Sequence, residues 1–296
     1  MFKMNLIKIN KMKILILGVS GLIGHNILRE LNAEFEVFGT LHKSKKNYGS
    51  LNLFSGDNII ENVDVKDFES LEVILSSVSP DVILNCVGIT KRKINKAKPL
   101  EAIQVNSVFP HQLAGWAKIN DKRVIHFSTD CVFDGKIGNY KEDSLTTAED
   151  LYGRTKALGE IIYPHTLTIR SSFIGQELFD KTELLDWFLS QDGKQIKGFT
   201  NTFYSGVSTL FMAQLVNEII RKYPNLNGLY QLAPQNPISK YDLLCLANKE
   251  FELNVDIIPD DTQKHSPTLN ATKLTKKIKL KVPTWEHMMK ELANNK

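Results

Sequence analysis

Residues 11–24 read KMKILILGVSGLIG. The segment KILIL is a short apolar run rich in Ile and Leu, the pattern of a strand buried on both faces. Gly18, Gly21 and Gly24 follow at three-residue spacing, and the next segment, HNILRELNAEFEV, carries Ile27, Leu28 and Leu31 on one helical face. Strand, glycine turn and helix, in that order, make the glycine pattern a candidate dinucleotide site. Gly18 permits the tight turn, Gly21 lets backbone N–H groups approach a pyrophosphate, and Gly24 allows the helix to pack closely on the strand. The phosphates would sit at the helix N-terminus, where free N–H groups and the helix dipole favour an anion. The alternative is a glycine turn without a ligand.

A chain of 296 residues is long enough for a large core in one or two domains. A net charge of +4 is too mild and too dispersed to suggest a nucleic-acid partner. The three cysteines, Cys86, Cys131 and Cys245, form no CxxC pair and no even framework, which points to a reducing, cytoplasmic setting. No apolar stretch approaches the roughly 20 residues of a membrane helix, so no membrane partner is expected. The lysines before the first apolar run do not mark a signal peptide, because the run is short, enters a glycine turn and has no small-residue cleavage site after it. Residues 1–11 are a lead before the first strand, with Met1, Met4 and Met12 as possible starts. The seven histidines are scattered, and no metal site is expected.

Downstream, strands and helical stretches alternate, which predicts a parallel sheet with helices on both faces. Residues 35–41, FEVFGTL, form the second strand. Where many NAD-binding chains then place a carboxylate, this one has Thr40, His42, Lys43, Lys45 and Lys46. Cations and a hydroxyl suit a 2′-phosphate, so NADPH is expected ahead of NADH. Residues 59–65 are read as a third strand, 68–77 as a helix closed by Ser79-Pro80, and 82–86 as a fourth strand with a loop to Thr90. Residues 100–119 form a long helical stretch in which Pro110 makes a kink or break, and Asn106 either bonds a neighbouring strand or faces water. Lys91, Arg92, Lys93, Lys96 and Lys98 form either a solvated loop or a contact for a phosphorylated ligand. Residues 122–129 are a fifth strand and 167–169 a sixth. Arg170 then either clamps backbone or substrate phosphate, or sits in an ion pair. Later segments give helices at 184–189, 210–223, 240–251 and 285–292, a strand at 228–233, and strand and loop character at 194–208, where Tyr204 and Ser205 are candidate sugar contacts.

Tyr152 and Lys156 are four residues apart and project from one helical face. A phenol is a weak acid near pH 10, but a nearby ammonium and an oxidised nicotinamide ring favour phenolate and draw that value down. Tyr152 can then give a proton to a carbonyl oxygen as hydride reaches its carbon, while Thr129 or Ser128 from the preceding strand end polarises the same carbonyl. The pair alone is a common exposed helical spacing. Its weight comes from the glycine turn upstream and the Ser-Thr strand end between them.

The ordered motifs GVSGLIG, NCVGIT, PLEAIQVN, HFSTDCVFDG and LYGRTKALGE resemble the extended short-chain dehydrogenases/reductases, most closely the dTDP-4-dehydrorhamnose reductase-like family. The resemblance implies an α/β fold with a Rossmann-type doubly wound parallel sheet and a smaller discontinuous C-terminal substrate-binding domain. It places residues 12–170 in the cofactor domain, with helix 209–223 returning to it, and residues 171–208 and 226–296 in the substrate domain. The implied activity is NADPH-dependent reduction of a 4-keto group on a nucleotide-linked 6-deoxyhexose, with Thr129, Tyr152 and Lys156 as the catalytic trio. Gly18, Ser20, Gly21, Leu22, Ile23 and Gly24 would form the pyrophosphate turn, followed by Thr40, His42 and Lys43. Asp64 and Val65 would flank the adenine. Cys86, Val87, Gly88, Ile89 and Thr90 would line the ribose side, and Phe127 would lie by the nicotinamide. Ser128, Thr129, Asp130, Cys131 and Phe173 would contact substrate. A homodimer is a possible assembly. Three departures bear on the sugar: Cys131 stands for a Tyr, Phe173 for a Trp, and the acidic residue after the second strand is missing. They suggest another NDP-keto-sugar, such as an acetamido sugar. Cys131 also matches the cysteine of the GDP-L-fucose synthase family, an epimerase/reductase; the alternative is a small buried residue. The dehydratases use an acidic pair after the catalytic Thr, and here Cys131 replaces the second carboxylate. A cofactor-binding regulatory subunit without catalysis is a further possibility, though such a relative would be expected to lose Tyr or Lys.

Overall fold

The computed structural model describes residues 11–49, 51–94 and 98–295. The first strand, β1, is Lys13–Leu17. Its side chains divide between two apolar layers: Ile14 and Ile16 face one, Leu15 and Leu17 the other. A strand covered on both sides has no polar face, which is why KILIL lacks alternation. Six further strands join it: β2 (Glu36–Thr40), β3 (Ile59–Ile60), β4 (Val82–Asn85), β5 (Arg123–Ser128), β6 (Thr166–Arg170) and an edge strand, Gly228–Gln231. Their order is edge strand, β6, β5, β4, β1, β2, β3, and every pairing is parallel. The chain winds outward from β1 through β2 and β3, then returns on its other side through β4. That reversal opens a crevice at the carboxyl ends of β1 and β4.

Helix α1 (Gly24–Leu31) covers the face of Ile14 and Ile16 through Ile27, Leu28 and Leu31. Thr209–Lys222 packs beside it, tied by Asn217 Nδ2 to Glu30 (2.9 Å) and by Arg221 to Glu34 (3.1 Å). Helix α2 (Phe68–Val78) and Phe109–Ile119 cover the opposite face with Leu71, Leu75, Phe109 and Leu113. The fold is therefore the doubly wound α/β architecture expected from the alternating elements.

Two local expectations change. The third strand stops at Ile60 because Asn62 takes φ 60°, turning the chain out of the sheet. Residues 100–119 are not broken at Pro110. Pro99–Ile103 passes through a π-helical turn, Gln104–Val108, into Phe109–Ile119. The widened turn lies just ahead of Pro110, which has no N–H to give.

The C-terminal half adds three short strand pairs: Phe173–Ile174 with Val207–Ser208, Gln195–Phe199 with Asp256–Asp260, and Phe203–Tyr204 with Ile238–Ser239. Lys240–Glu250 and Trp285–Asn294 pack against each other. Thr272–Ile278 is a helix that the Lys- and Thr-rich tail did not announce.

Candidate active site

The crevice is a cleft of about 530 Å³. One end is the turn after β1, where Ser20, Gly21, Leu22 and Ile23 line it. Gly18 has φ +84°, and a Cβ on Gly24 would lie 2.2 Å from Gly18 O. The turn and the start of α1 thus need glycine at both positions, which support the floor while residues 20–23 between them line it. Thr40 is 2% exposed, and its Oγ1 accepts from Gly18 N at 3.1 Å. Its hydroxyl braces the turn rather than facing a 2′-phosphate. His42 and Lys43 are exposed on the following loop, outside the lining. Asp64 pairs with Lys66 at 3.5 Å and Val65 is buried; neither lines the cleft.

The loop after β4 supplies the next wall, with Cys86, Val87, Gly88, Ile89 and Thr90. Asn106 holds this loop. Its Oδ1 accepts from Ile89 N (2.8 Å), and its Nδ2 donates to Ile89 O (3.0 Å) and Thr155 Oγ1 (3.2 Å). The π turn thereby links the β4 loop to the helix Leu151–Leu158. Thr90 Oγ1 is buried with no hydrogen-bond partner. A glycine turn shaped for close approach, a row of backbone after β4 and an unsatisfied hydroxyl fit a dinucleotide along this crevice.

Thr129, Tyr152 and Lys156 line the same cleft beyond that loop. Asp150 starts the helix by accepting from Gly153 N at 2.8 Å, which places Tyr152 in its first turn and Lys156 one turn on. Lys156 is 6% exposed and donates from Nζ to Phe127 O at 2.7 Å. Burial lowers its pKa to about 8, with Glu160 opposing the drop. The Tyr152 phenol is pushed well up from its ordinary value, first by burial and then by the charge of Cys131, against a hydrogen bond from Thr129. This reverses the expected direction for the protein's own groups. The Lys156 ammonium is turned to the Phe127 carbonyl, and desolvation of the phenol dominates.

Ser128 lines the cleft, but its Oγ donates to Glu160 Oε1 at 2.7 Å. Arg170 forms the ion pair of its two alternatives, donating from Nε and Nη2 to Glu160, each at 2.7 Å. Both side chains are nearly sealed, at 4% and 5% exposure. Thr129 Oγ1 donates to Asp130 Oδ1 and accepts from Cys131 N, both at 3.2 Å. Burial, more than the Asp130 charge, pushes the Cys131 thiol up to about 12, so it stands protonated at neutral pH. Phe173 lines the cleft and meets Phe127 edge-on at 6.3 Å. Tyr204 also lines it, whereas Ser205 is buried and accepts from Leu269 N at 3.1 Å, so it is no sugar contact.

The basic cluster borders the cleft with its charges engaged: Lys91 with Asp150 (2.8 Å), Arg92 with Glu183 (3.6 Å) and Lys93 with Asp180 (2.6 Å). Lys98 is exposed and outside the lining; Lys96, like Met1 and Met4, lies outside the described residues. Glu177, Phe179, Glu183, Lys240 and His265 complete the walls, and no sequence signal marked them. They come from four loop positions and the first residue of the helix Lys240–Glu250, far along the chain and in no motif. Among the described residues no group of three or more His, Cys, Asp or Glu is placed to hold a metal, and no helix is long and apolar enough to cross a membrane.

Known proteins share this architecture. The chain is 26% identical to dTDP-4-dehydrorhamnose reductase of Aggregatibacter actinomycetemcomitans, across 95% of this chain and 98% of that protein. It is 24% identical to methionine adenosyltransferase 2 subunit beta of Xenopus tropicalis, across 81% of this chain and 72% of that protein. A crystal structure of dTDP-4-dehydrorhamnose reductase from Bacillus anthracis in complex with NADP has the same fold, with a TM-score of 0.80 over 97% of this chain and 100% of that one, at 17% identity. The family model described as RmlD substrate binding domain matches residues 12–296, and the chain belongs to that family.

Proposed function

We propose that this protein is a nicotinamide-dependent oxidoreductase of nucleotide-linked sugars, reducing a 4-keto group on an NDP-6-deoxyhexose with NADPH ahead of NADH. The observation that carries this reading is the opening of Thr129, Tyr152 and Lys156 into the crevice that starts at the glycine turn. A reduced nicotinamide bound in the crevice would supply hydride chemistry to the carbonyl carbon. The backbone of Ser20–Ile23 would hold its pyrophosphate, and Cys86–Thr90 with Phe127 would border its ribose and nicotinamide. Tyr152 holds the substrate carbonyl oxygen and gives it the phenolic proton, and Thr129 turns its hydroxyl proton from Asp130 Oδ1 to the same oxygen. The raised pKa keeps the phenol protonated before the step. Lys156, anchored on Phe127 O, keeps the donor's helix in register with β5. The NADPH preference is supported by His42 and Lys43 on the exposed loop after β2, beyond the cleft lining. Residues 171–208 and 226–296 form the sugar side, residues 12–170 the cofactor side, and helix 209–223 belongs with the latter. The setting is the cytoplasm and the product serves cell-surface polysaccharide.

The test is loss of NADPH absorbance with a panel of NDP-4-keto-6-deoxyhexoses, including dTDP-4-dehydrorhamnose. Tyr152→Phe should lower turnover by about 10²-fold or more while leaving NADPH affinity nearly unchanged. Retained turnover removes Tyr152 from the mechanism. The likeness to methionine adenosyltransferase 2 subunit beta supports a second reading, a cofactor-binding regulatory subunit. Tight NADPH binding without turnover of any keto sugar would favour it. A homodimer is supported by Leu100 (64% exposed), Val108 (44%) and Leu158 (67%) on two touching helical segments, and light scattering reads it directly.

A further inference from the structure

We propose that Lys240 is the receptor for an anionic group of the substrate. The inference rests on the nucleotide-sugar reading of the same cleft and adds the residue that selects its charge. Among the described residues, five cations line the cleft besides the imidazole of His265. Four are engaged: Lys91, Arg92 and Lys93 in ion pairs, and Lys156 on Phe127 O. Lys240 is half-buried at the start of its helix, where its backbone N–H donates to Thr202 O. Its ammonium has no hydrogen bond or ion pair among the described residues.

The lining carboxylates do not neutralise it. Asp130 is occupied by Thr129, Glu177 accepts from Thr182 N and Glu183 N, and Glu183 faces Arg92. Burial lowers the Lys240 pKa, and the nearby Asp130 charge only partly offsets this. A half-desolvated ammonium without a partner is a net cost to the folded chain. A ligand oxygen that carries charge removes that cost on binding. Lys240 belongs to the wall built by the C-terminal half, since its backbone N–H meets Thr202 O and the strand before it, Ile238–Ser239, pairs with Phe203–Tyr204, whereas the glycine turn and the loop after β4 form the opposite wall. An anion held there belongs to the substrate rather than to the dinucleotide. Its chemistry is a diphosphate joined to the sugar or a carboxylate on the sugar ring.

Calorimetry with wild type, Lys240→Gln and Lys240→Arg, using dTDP, dTDP-glucose and UDP-glucuronate, separates these sources. Lys240→Gln should weaken binding about ten- to hundred-fold, while Lys240→Arg should retain most of it. Equal weakening for all three probes identifies the diphosphate; weakening confined to UDP-glucuronate identifies the sugar acid. NADP+ affinity should hold and the thermal midpoint should hold or rise, since no contact within the protein is lost and the unpartnered charge is removed. Unchanged binding in Lys240→Gln overturns the assignment, as does wild type that binds none of the probes, or an equal loss of NADP+ affinity. The readout needs no turnover. Lys240-dependent dTDP binding without any reductase activity refutes the reductase reading and keeps this one. Reduction of a keto sugar with an unchanged KM in Lys240→Gln does the opposite.

Discussion

Replacing Asn106 by Ala tests how the cleft is held together. Asn106 is 1% exposed, and one amide makes three bonds, two to Ile89 and one to Thr155. Thr155 keeps a partner after the change, because its hydroxyl also donates to Tyr152 O at 3.0 Å. Ile89 loses both its N–H and C=O partners. A buried unsatisfied group costs about 1–3 kcal/mol. Ile89 is only half-buried, so water recovers part of that cost, leaving about 2–4 kcal/mol for the substitution. Against a total of roughly 5–15 kcal/mol, that is a large fraction. Urea denaturation followed by tryptophan fluorescence reads it as a lower midpoint with an unchanged slope. The KM for NADPH should rise in parallel, since the β4 loop is released from the helix of Tyr152 and Lys156. A stability loss below about 1 kcal/mol with an unchanged KM would show that the π-turn amide does not couple the two walls.

The pH dependence follows from Lys156. Its folded pKa falls from 10.5 to about 8, so between these values the unfolded chain binds more protons there. Its contribution to stability therefore rises with pH across that window, while activity falls as the ammonium is lost; a flat rate profile over the window contradicts the role given to Lys156. Glu160→Gln leaves Arg170 buried without its anion, with an expected loss of about 3–5 kcal/mol in denaturation. It also withdraws the charge that holds the Lys156 pKa up, so the high-pH limb of the rate profile should move to lower pH; an unmoved limb refutes the link. Cys131→Ser should leave reduction nearly intact with no solvent deuterium at carbons beside the carbonyl, because the thiol stays protonated. Lost turnover together with deuterium exchange in the wild type would identify an epimerase/reductase instead.

The sequence by itself determined the parts written in contiguous residues. KILIL buried on both faces needs helices on both sides of its sheet, and a glycine series between strand and helix has few other uses. Tyr152 and Lys156 share a face because helical spacing puts them there. Those features set the α/β class and the place of the crevice. Only the tertiary structure decided which groups are free to act. Thr40 reads as a phosphate contact until its hydroxyl is found on Gly18 N, and Arg170 reads as a clamp until Glu160 takes both its nitrogens. Lys91, Arg92 and Lys93 look like an anion site until each is seen in an ion pair, while Lys240, in no motif, has no partner among the described residues. The physical reason is range. Propensity and periodicity act over a few residues, whereas desolvation and charge pairing depend on side chains that folding brings together, 22 residues apart for Gly18 and Thr40 and 59 and 87 apart for the Lys91 and Lys93 pairs.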